Sequence, residues 1–99
     1  MRIDGKVALI TGASEGIGAA CAKEFAASGA KLSLTARSEE GLRRAAGEDA
    51  LVTAGDITDE DTRRRVVDRT LERFGAIDIL INNAGVYAPK RRVWVLGGI

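Results

Sequence analysis

Short apolar runs alternate with longer amphipathic stretches along this chain. Val7-Ala8-Leu9-Ile10 is continuously apolar, the pattern of a strand covered on both faces. Ile17, Cys21 and Phe25 then recur at helical spacing, and Gly29 predicts the end of that helix. Lys31-Leu32-Ser33-Leu34-Thr35 alternates with period two, a second strand. Ser38 with Glu39 and Glu40 behind it reads as a helix N-cap followed by first-turn acids. The short helix it opens carries Leu42, Ala45 and Ala46 and stops at Gly47. Ala50-Leu51-Val52-Thr53-Ala54 is a third, weaker strand. Asp59-Glu60-Asp61 opens a longer helix with Val67, Leu71 and Phe74 on one face and Gly75 at its end. Ile77, Ile79, Leu80 and Ile81 make a fourth strand, ended by Asn82-Asn83-Ala84-Gly85. Strands separated by helices of this length predict an α/β domain, βαβαβαβ, with a parallel sheet and right-handed crossovers.

Residues 86–99 fit this scheme poorly. Lys90-Arg91-Arg92 is a basic triplet, and Val93-Trp94-Val95-Leu96 is an apolar stub with no partner element left to pack on. The expected division is therefore a folded segment over residues 1–85 and a divergent, poorly ordered tail over 86–99. In that arrangement the fourth strand is an edge, with Ile79, Leu80 and Ile81 partly uncovered. An open apolar edge predicts marginal stability and self-association through it.

Composition narrows the function classes. The 99 residues are 45% hydrophobic and 29% charged, the balance of a globular chain. Fifteen basic against fourteen acidic side chains leave a net charge of +1, which gives no bulk electrostatic case for nucleic acid or an anionic membrane. Arg63-Arg64-Arg65 has Asp59, Glu60, Asp61, Asp68 and Glu72 at helical spacing and reads as a solvated face. With no histidine and Cys21 as the single cysteine, an intrachain disulfide, a structural zinc site and a histidine-based hydrolase are all excluded. Cys21 falls on the apolar face of the first helix and reads as core. The apolar run Val7 to Ile10 is far shorter than a secretory core of about 7–15 residues or a membrane span of about 20. These features predict a cytoplasmic chain without a membrane segment.

Thr11-Gly12-Ala13-Ser14-Glu15-Gly16-Ile17-Gly18 lies between the first strand and the first helix, with glycines spaced GxxxGxG. A turn bare of Cβ atoms lets backbone N–H groups approach a pyrophosphate, and the helix N-terminus behind it favours negative charge. Gly18 allows the helix to sit tightly on the sheet. The second strand ends Thr35-Ala36-Arg37, with no acid at the tip where one would read a ribose 2′-hydroxyl. Arg37 suits a 2′-phosphate, helped by the hydroxyl of Ser14 or Ser38, or pairs in solvent with Glu39 or Glu40. Glu15 puts a negative charge near the same pocket. Asp56 follows the third strand, either accepting from an adenine amino group or serving as a turn aspartate before Asp59. Asn82 reads as a tie between neighbouring strands. NADP is thus favoured over NAD.

These motifs resemble those of the short-chain dehydrogenase/reductase family in its NADP-preferring form. The matching stretches are Thr11 to Gly18, Asp56-Ile57-Thr58-Asp59, and Asp78-Ile79-Leu80-Ile81-Asn82-Asn83-Ala84-Gly85, in the family's order and spacing. The resemblance covers Ile3 to Trp94. It implies a Rossmann-type doubly wound sheet of strand order 3-2-1-4 and hydride transfer between NADPH and a carbonyl or alcohol. By that likeness the turn residues Gly12, Ala13, Ser14, Glu15, Gly16, Ile17 and Gly18 bind the cofactor, Gly12, Ser14, Glu15 and Ile17 lining its pyrophosphate and ribose. Arg37 meets the 2′-phosphate, Asp56 and Ile57 flank adenine, and Asn83, Ala84 and Gly85 lie beneath the ribose nearer nicotinamide.

The chain departs from the family after Trp94. The family's catalytic serine and its Tyr-x-x-x-Lys pair, in which lysine lowers the tyrosine pKa, have no counterpart here. Tyr87 has Lys90 three residues on and Arg91 four on, with Pro89 between, which argues against the required helix. Tyr87 therefore reads as a loop residue and no catalytic residue is assigned. The chain is expected to be the truncated cofactor-binding part of such a reductase, not catalytic by itself. Its alternatives are a stand-alone dinucleotide-binding module, a half-enzyme awaiting a partner chain, or a fragment without function.

Overall fold

Alternate residues of β1 (Val7–Thr11) divide between two cores, which explains why the run is apolar throughout. The computed structural model describes residues 3–13, 16–46, 49–82 and 94–96. After β1 come α1 (Gly16–Ala27), β2 (Lys31–Ala36), α2 (Glu39–Ala46), β3 (Leu51–Ala54), α3 (Glu60–Phe74), β4 (Ile79–Asn82) and β5 (Trp94–Leu96). All strand pairs are parallel, and the order is β3-β2-β1-β4-β5. The expected 3-2-1-4 arrangement is present, with one strand more.

That extra strand corrects the expectation of an edge at the fourth strand. β5 belongs to the apolar stub for which the sequence pattern alone offers no partner. It pairs with β4 in the register Ile79↔Trp94, Leu80↔Val95 and Ile81↔Leu96. Ile79, Leu80 and Ile81 are buried rather than partly uncovered. The rest of the tail, including Tyr87, Lys90 and Arg91, lies outside the described residues.

On one face of the sheet Ala8, Ile10, Leu32, Leu34, Val52, Ile79 and Ile81 form an apolar core with Ala22 of α1 and Leu42 of α2. Cys21 and Phe25 are half-buried against it. The Ser38 hydroxyl accepts from the Gly41 N–H at 3.3 Å at the start of α2, as its capping position predicts. The opposite face is different in kind. Leu9, Leu80 and Val66 make a small apolar cluster there, and buried hydroxyls supply much of the remaining contact. Ser33 and Thr70 lie 2.6 Å apart between β2 and α3, and Thr70 also donates to the Val66 carbonyl at 2.6 Å.

This polar contact sets the roll of α3. The sequence pattern places Val67, Leu71 and Phe74 inward, but the buried side chains are Thr62, Val66 and Thr70, and the predicted three are half-buried. A strand face carrying Ser33 and Thr53 needs hydrogen-bonding partners, and Thr70 supplies one that no apolar side chain can. The ends of α3 follow the sequence signals. The Asp59 carboxylate accepts from the Asp61 N–H at 3.1 Å, and the Gly75 N–H donates to the Leu71 carbonyl at 2.8 Å.

The arginines of α3 also depart from expectation. Among the described residues Arg64 alone of these makes the predicted kind of pair, 3.3 Å from Glu60. Arg65 donates to the Ala54 carbonyl at 2.7 Å, Arg69 to the Val52 carbonyl at 3.1 Å and the Thr53 hydroxyl at 2.9 Å, and Arg73 to the Asp49 carbonyl at 3.3 Å. Residues four apart share a helix face, so Arg65, Arg69 and Arg73 form one row. The Gly55 N–H points to β2, donating to the Ala36 carbonyl at 2.9 Å. Strand alternation then turns the Val52 and Ala54 carbonyls outward, away from the sheet. The row of guanidinium groups therefore covers the open edge of β3. Backbone carbonyls, not neighbouring carboxylates, are what these arginines are for.

Candidate functional site

A parallel sheet brings the carboxyl ends of its strands to one edge. Here Thr11-Gly12-Ala13, Ala36-Arg37-Ser38, Ala54-Gly55-Asp56 and Asn82 converge. Two backbone bonds stitch the loops that leave the strands: the Ala13 N–H donates to the Thr35 carbonyl at 3.2 Å, and the Gly55 N–H to the Ala36 carbonyl. The chain runs outward from β1 to β2 to β3, then crosses to β4 on the other side of β1. That reversal lies at the carboxyl ends of β1 and β4, the position at which open α/β sheets bind ligands.

The turn from β1 into α1 is built on two glycines. Gly12 has φ of 63°, a left-handed conformation that a Cβ strains. Gly18, in the first turn of α1, approaches so closely that a Cβ there collides with the Gly12 carbonyl oxygen and lies 3.0 Å from the Ala13 Cα. The helix start is thus seated on the turn, as predicted for Gly18, while Ala13 is buried in the core. Gly16 and Ile17 open α1. The expected site residues Ser14, Glu15, Asn83, Ala84 and Gly85 lie outside the described residues.

At the adjoining strand ends Arg37 and Asp56 meet, with Nη2 to Oδ2 at 3.5 Å. Arg37 thus pairs with Asp56 in place of the expected Glu39 or Glu40, and Glu39 lies 3.6 Å from Arg43. Asp56 does act as a turn aspartate: its Oδ1 accepts from the Thr58 N–H at 3.0 Å and the Thr58 hydroxyl at 2.7 Å. Those bonds, the hydroxyl first and then the N–H, hold its carboxyl below the ordinary aspartate range, with Arg37 adding to the effect. Ile57, next in the chain, gives its carbonyl to Arg63 at 3.0 Å, and the Thr58 carbonyl takes the same nitrogen at 2.9 Å. The loop after β3 is therefore tied down from α3, a link invisible in side-chain charge patterns.

Asn82 ties strands together, as expected of it. The Thr11 hydroxyl lies 3.3 Å from its Oδ1 and 3.5 Å from the Ile81 carbonyl oxygen. Register extends this into a polar row across the sheet, Thr53↔Thr35, Thr35↔Thr11 and Thr11↔Asn82. Thr35 is buried within it, and its hydroxyl has no hydrogen-bond partner among the described residues. Sequence reading did not find this row, because only the register aligns its members.

Among the described residues no group of three or more His, Cys, Asp or Glu side chains gathers as a metal site. None of the described helices is long and apolar enough to cross a membrane.

The short chain dehydrogenase family model matches residues 6–94. An 11-beta-hydroxysteroid dehydrogenase-like protein of Arabidopsis thaliana is 43% identical over 91 residues, covering 85% of this chain and 30% of its own length. A 3-ketoacyl-(acyl-carrier-protein) reductase from Brucella melitensis, crystallised with NADH, superposes with a TM-score of 0.78 at 46% identity, over 84% of this chain and 36% of that one. A metagenomic short-chain oxidoreductase in complex with NADP gives 0.76 at 40% identity, over 87% of this chain and 42% of that one. The chain spans about a third of the length of the curated relatives it matches. A Rossmann-type doubly wound sheet, the glycine turn and a family match across most of its residues lead to one conclusion: the chain belongs to the short-chain dehydrogenase family.

Proposed function

We propose that this chain binds a nicotinamide adenine dinucleotide along the carboxyl edge of its sheet, prefers NADP(H) to NAD(H), and forms the cofactor-binding part of a short-chain dehydrogenase/reductase. The observation that carries the reading is the seating of α1 on the Gly12 turn, next to the Arg37–Asp56 pair at the neighbouring strand ends. Such a turn fits a pyrophosphate: no Cβ stands between backbone and ligand, and the start of a twelve-residue helix faces it. Relatives crystallised with NADH and with NADP support the cofactor class.

In this reading the turn residues Gly12, Ala13, Ser14, Glu15, Gly16, Ile17 and Gly18 hold the pyrophosphate and nearer ribose. Arg37 binds the 2′-phosphate with charge-assisted hydrogen bonds, Asp56 and Ile57 flank adenine, and Asn83, Ala84 and Gly85 support the ribose beside nicotinamide. When bound, the reduced cofactor would donate hydride to a carbonyl carbon and the oxidised one would accept it from an alcohol carbon. The one tyrosine, Tyr87, has Arg91 rather than lysine four residues on, so the residues named here are given binding roles only.

Titrating the chain into NADPH and into NADH while following nicotinamide fluorescence tests this. Binding of both, tighter for NADPH, with the difference abolished in Arg37→Ala, is the expected result. Equal affinities that Arg37→Ala leaves unchanged refute the NADP preference, and no binding of either refutes the function.

A further inference from the structure

Arg37 is paired with a carboxylate that the protein holds in place independently of it. Oδ1 of Asp56 is occupied by the Thr58 N–H and hydroxyl, which leaves Oδ2 directed at the guanidinium 3.5 Å away. The Asp59 N–H donates to the Asp56 carbonyl at 2.9 Å, and Arg63 fastens the next two carbonyls. This loop is joined to the end of β2 through the Gly55–Ala36 bond. Asp56 is therefore a fixed negative charge beside the cation, ionised to a lower pH than an ordinary aspartate.

A fixed carboxylate at this distance has unequal consequences for two ligands. A phosphate docking on Arg37 enters the field of Asp56 and competes with it for guanidinium donors. A hydroxyl in the same place carries no charge and suffers neither penalty. We propose that Asp56 is a specificity-setting residue, which damps the preference that Arg37 gives for a 2′-phosphate over a 2′-hydroxyl and leaves the chain able to use both cofactors. The proposal rests on the reading above, in which Arg37 meets the 2′-phosphate.

The test compares adenosine 2′,5′-bisphosphate with AMP, two ligands that differ only in the 2′-phosphate, on the same samples of wild type, Asp56→Asn and Arg37→Ala. Using one sample for both ligands cancels any change in folded fraction and any contact to adenine. At low salt Asp56→Asn should raise the affinity ratio in favour of the bisphosphate by about two- to fivefold, the scale of an exposed ion pair. Arg37→Ala should lower that ratio. If Arg37→Ala lowers it while Asp56→Asn leaves it unchanged or lowers it, the damping role is overturned and the reading of Arg37 stands. If Arg37→Ala leaves it unchanged, the 2′-phosphate reading fails and the proposal falls with it.

Discussion

Val7 and Asp78 exchange two hydrogen bonds. The Val7 N–H donates to Oδ2 of Asp78 at 2.9 Å, and the Asp78 N–H donates to the Val7 carbonyl at 2.9 Å. The pair fixes the starts of β1 and β4, and so the register that brings Thr11 opposite Asn82 at the other end. Removing the carboxylate leaves a partly buried N–H without its acceptor. Asp78→Ala should cost about 1.5–3 kcal/mol, the range of a hydrogen bond to a charged group, and Asp78→Asn less. Urea unfolding of the two variants measures both.

The Ser33–Thr70 contact has a direction. Thr70 has one hydroxyl proton and gives it to the Val66 carbonyl, so Ser33 donates to Thr70. Thr70→Val strands the buried Ser33 hydroxyl and should cost about 1–3 kcal/mol. Ser33→Ala leaves Thr70 bonded and should cost less. The double variant removes both polar groups and should be more stable than Thr70→Val alone, which a double-mutant cycle in urea will show.

Arg65, Arg69 and Arg73 protect the β3 edge from another strand. Replacing all three by methionine keeps much of the aliphatic length and uncovers the Val52 and Ala54 carbonyls. Sedimentation velocity should show concentration-dependent association of the triple variant beyond any shown by wild type. Replacing the exposed Arg43 and Arg44 of α2 removes charge elsewhere, and that control should not associate.

Asp56 offers a pH test. Its carboxyl is depressed in the folded chain, so the stabilisation it brings is present above the unfolded aspartate value and is lost as pH falls through the lower folded value. Carboxyl-carbon NMR should place its midpoint below that of an ordinary aspartate. Thr58→Ala should move the midpoint up, and by more than Arg37→Ala does, because the Thr58 hydroxyl bond is the largest single cause. The opposite order means that the ion pair, not the turn, fixes the carboxylate.

Much of this fold is legible in the chain itself. The Val7–Ile10 run, the Gly29 and Gly75 stops, and the Asp59 cap report local physics and place β1, α1 and α3 within a few residues. Gly12 and Gly18 are legible for a related reason, since positive φ and close approach restrict residue type. What sequence reading missed depends on register. β5 found a partner in β4 only because the sheet offers that edge, and Arg37 meets Asp56 because β2 and β3 pair Ala36 with Ala54. Arg65 is exposed, as the charge pattern of Arg63-Arg64-Arg65 predicts, but its partner is the Ala54 carbonyl, because a count of carboxylate partners says nothing of carbonyls on an edge strand. The roll of α3 was misread in the same way, as hydrophobic spacing gave Val67, Leu71 and Phe74 where Ser33 required Thr70.

Cofactor binding by this chain is read from thermal unfolding of the chain alone, with excess NADPH, and with excess NADH. A ligand at a hundred times its dissociation constant adds about 2.7 kcal/mol, which raises the midpoint of a domain this size by several degrees or more. A chain that binds both cofactors and prefers NADP(H) shows a rise with each, larger with NADPH. A midpoint that neither cofactor moves contradicts dinucleotide binding by this chain.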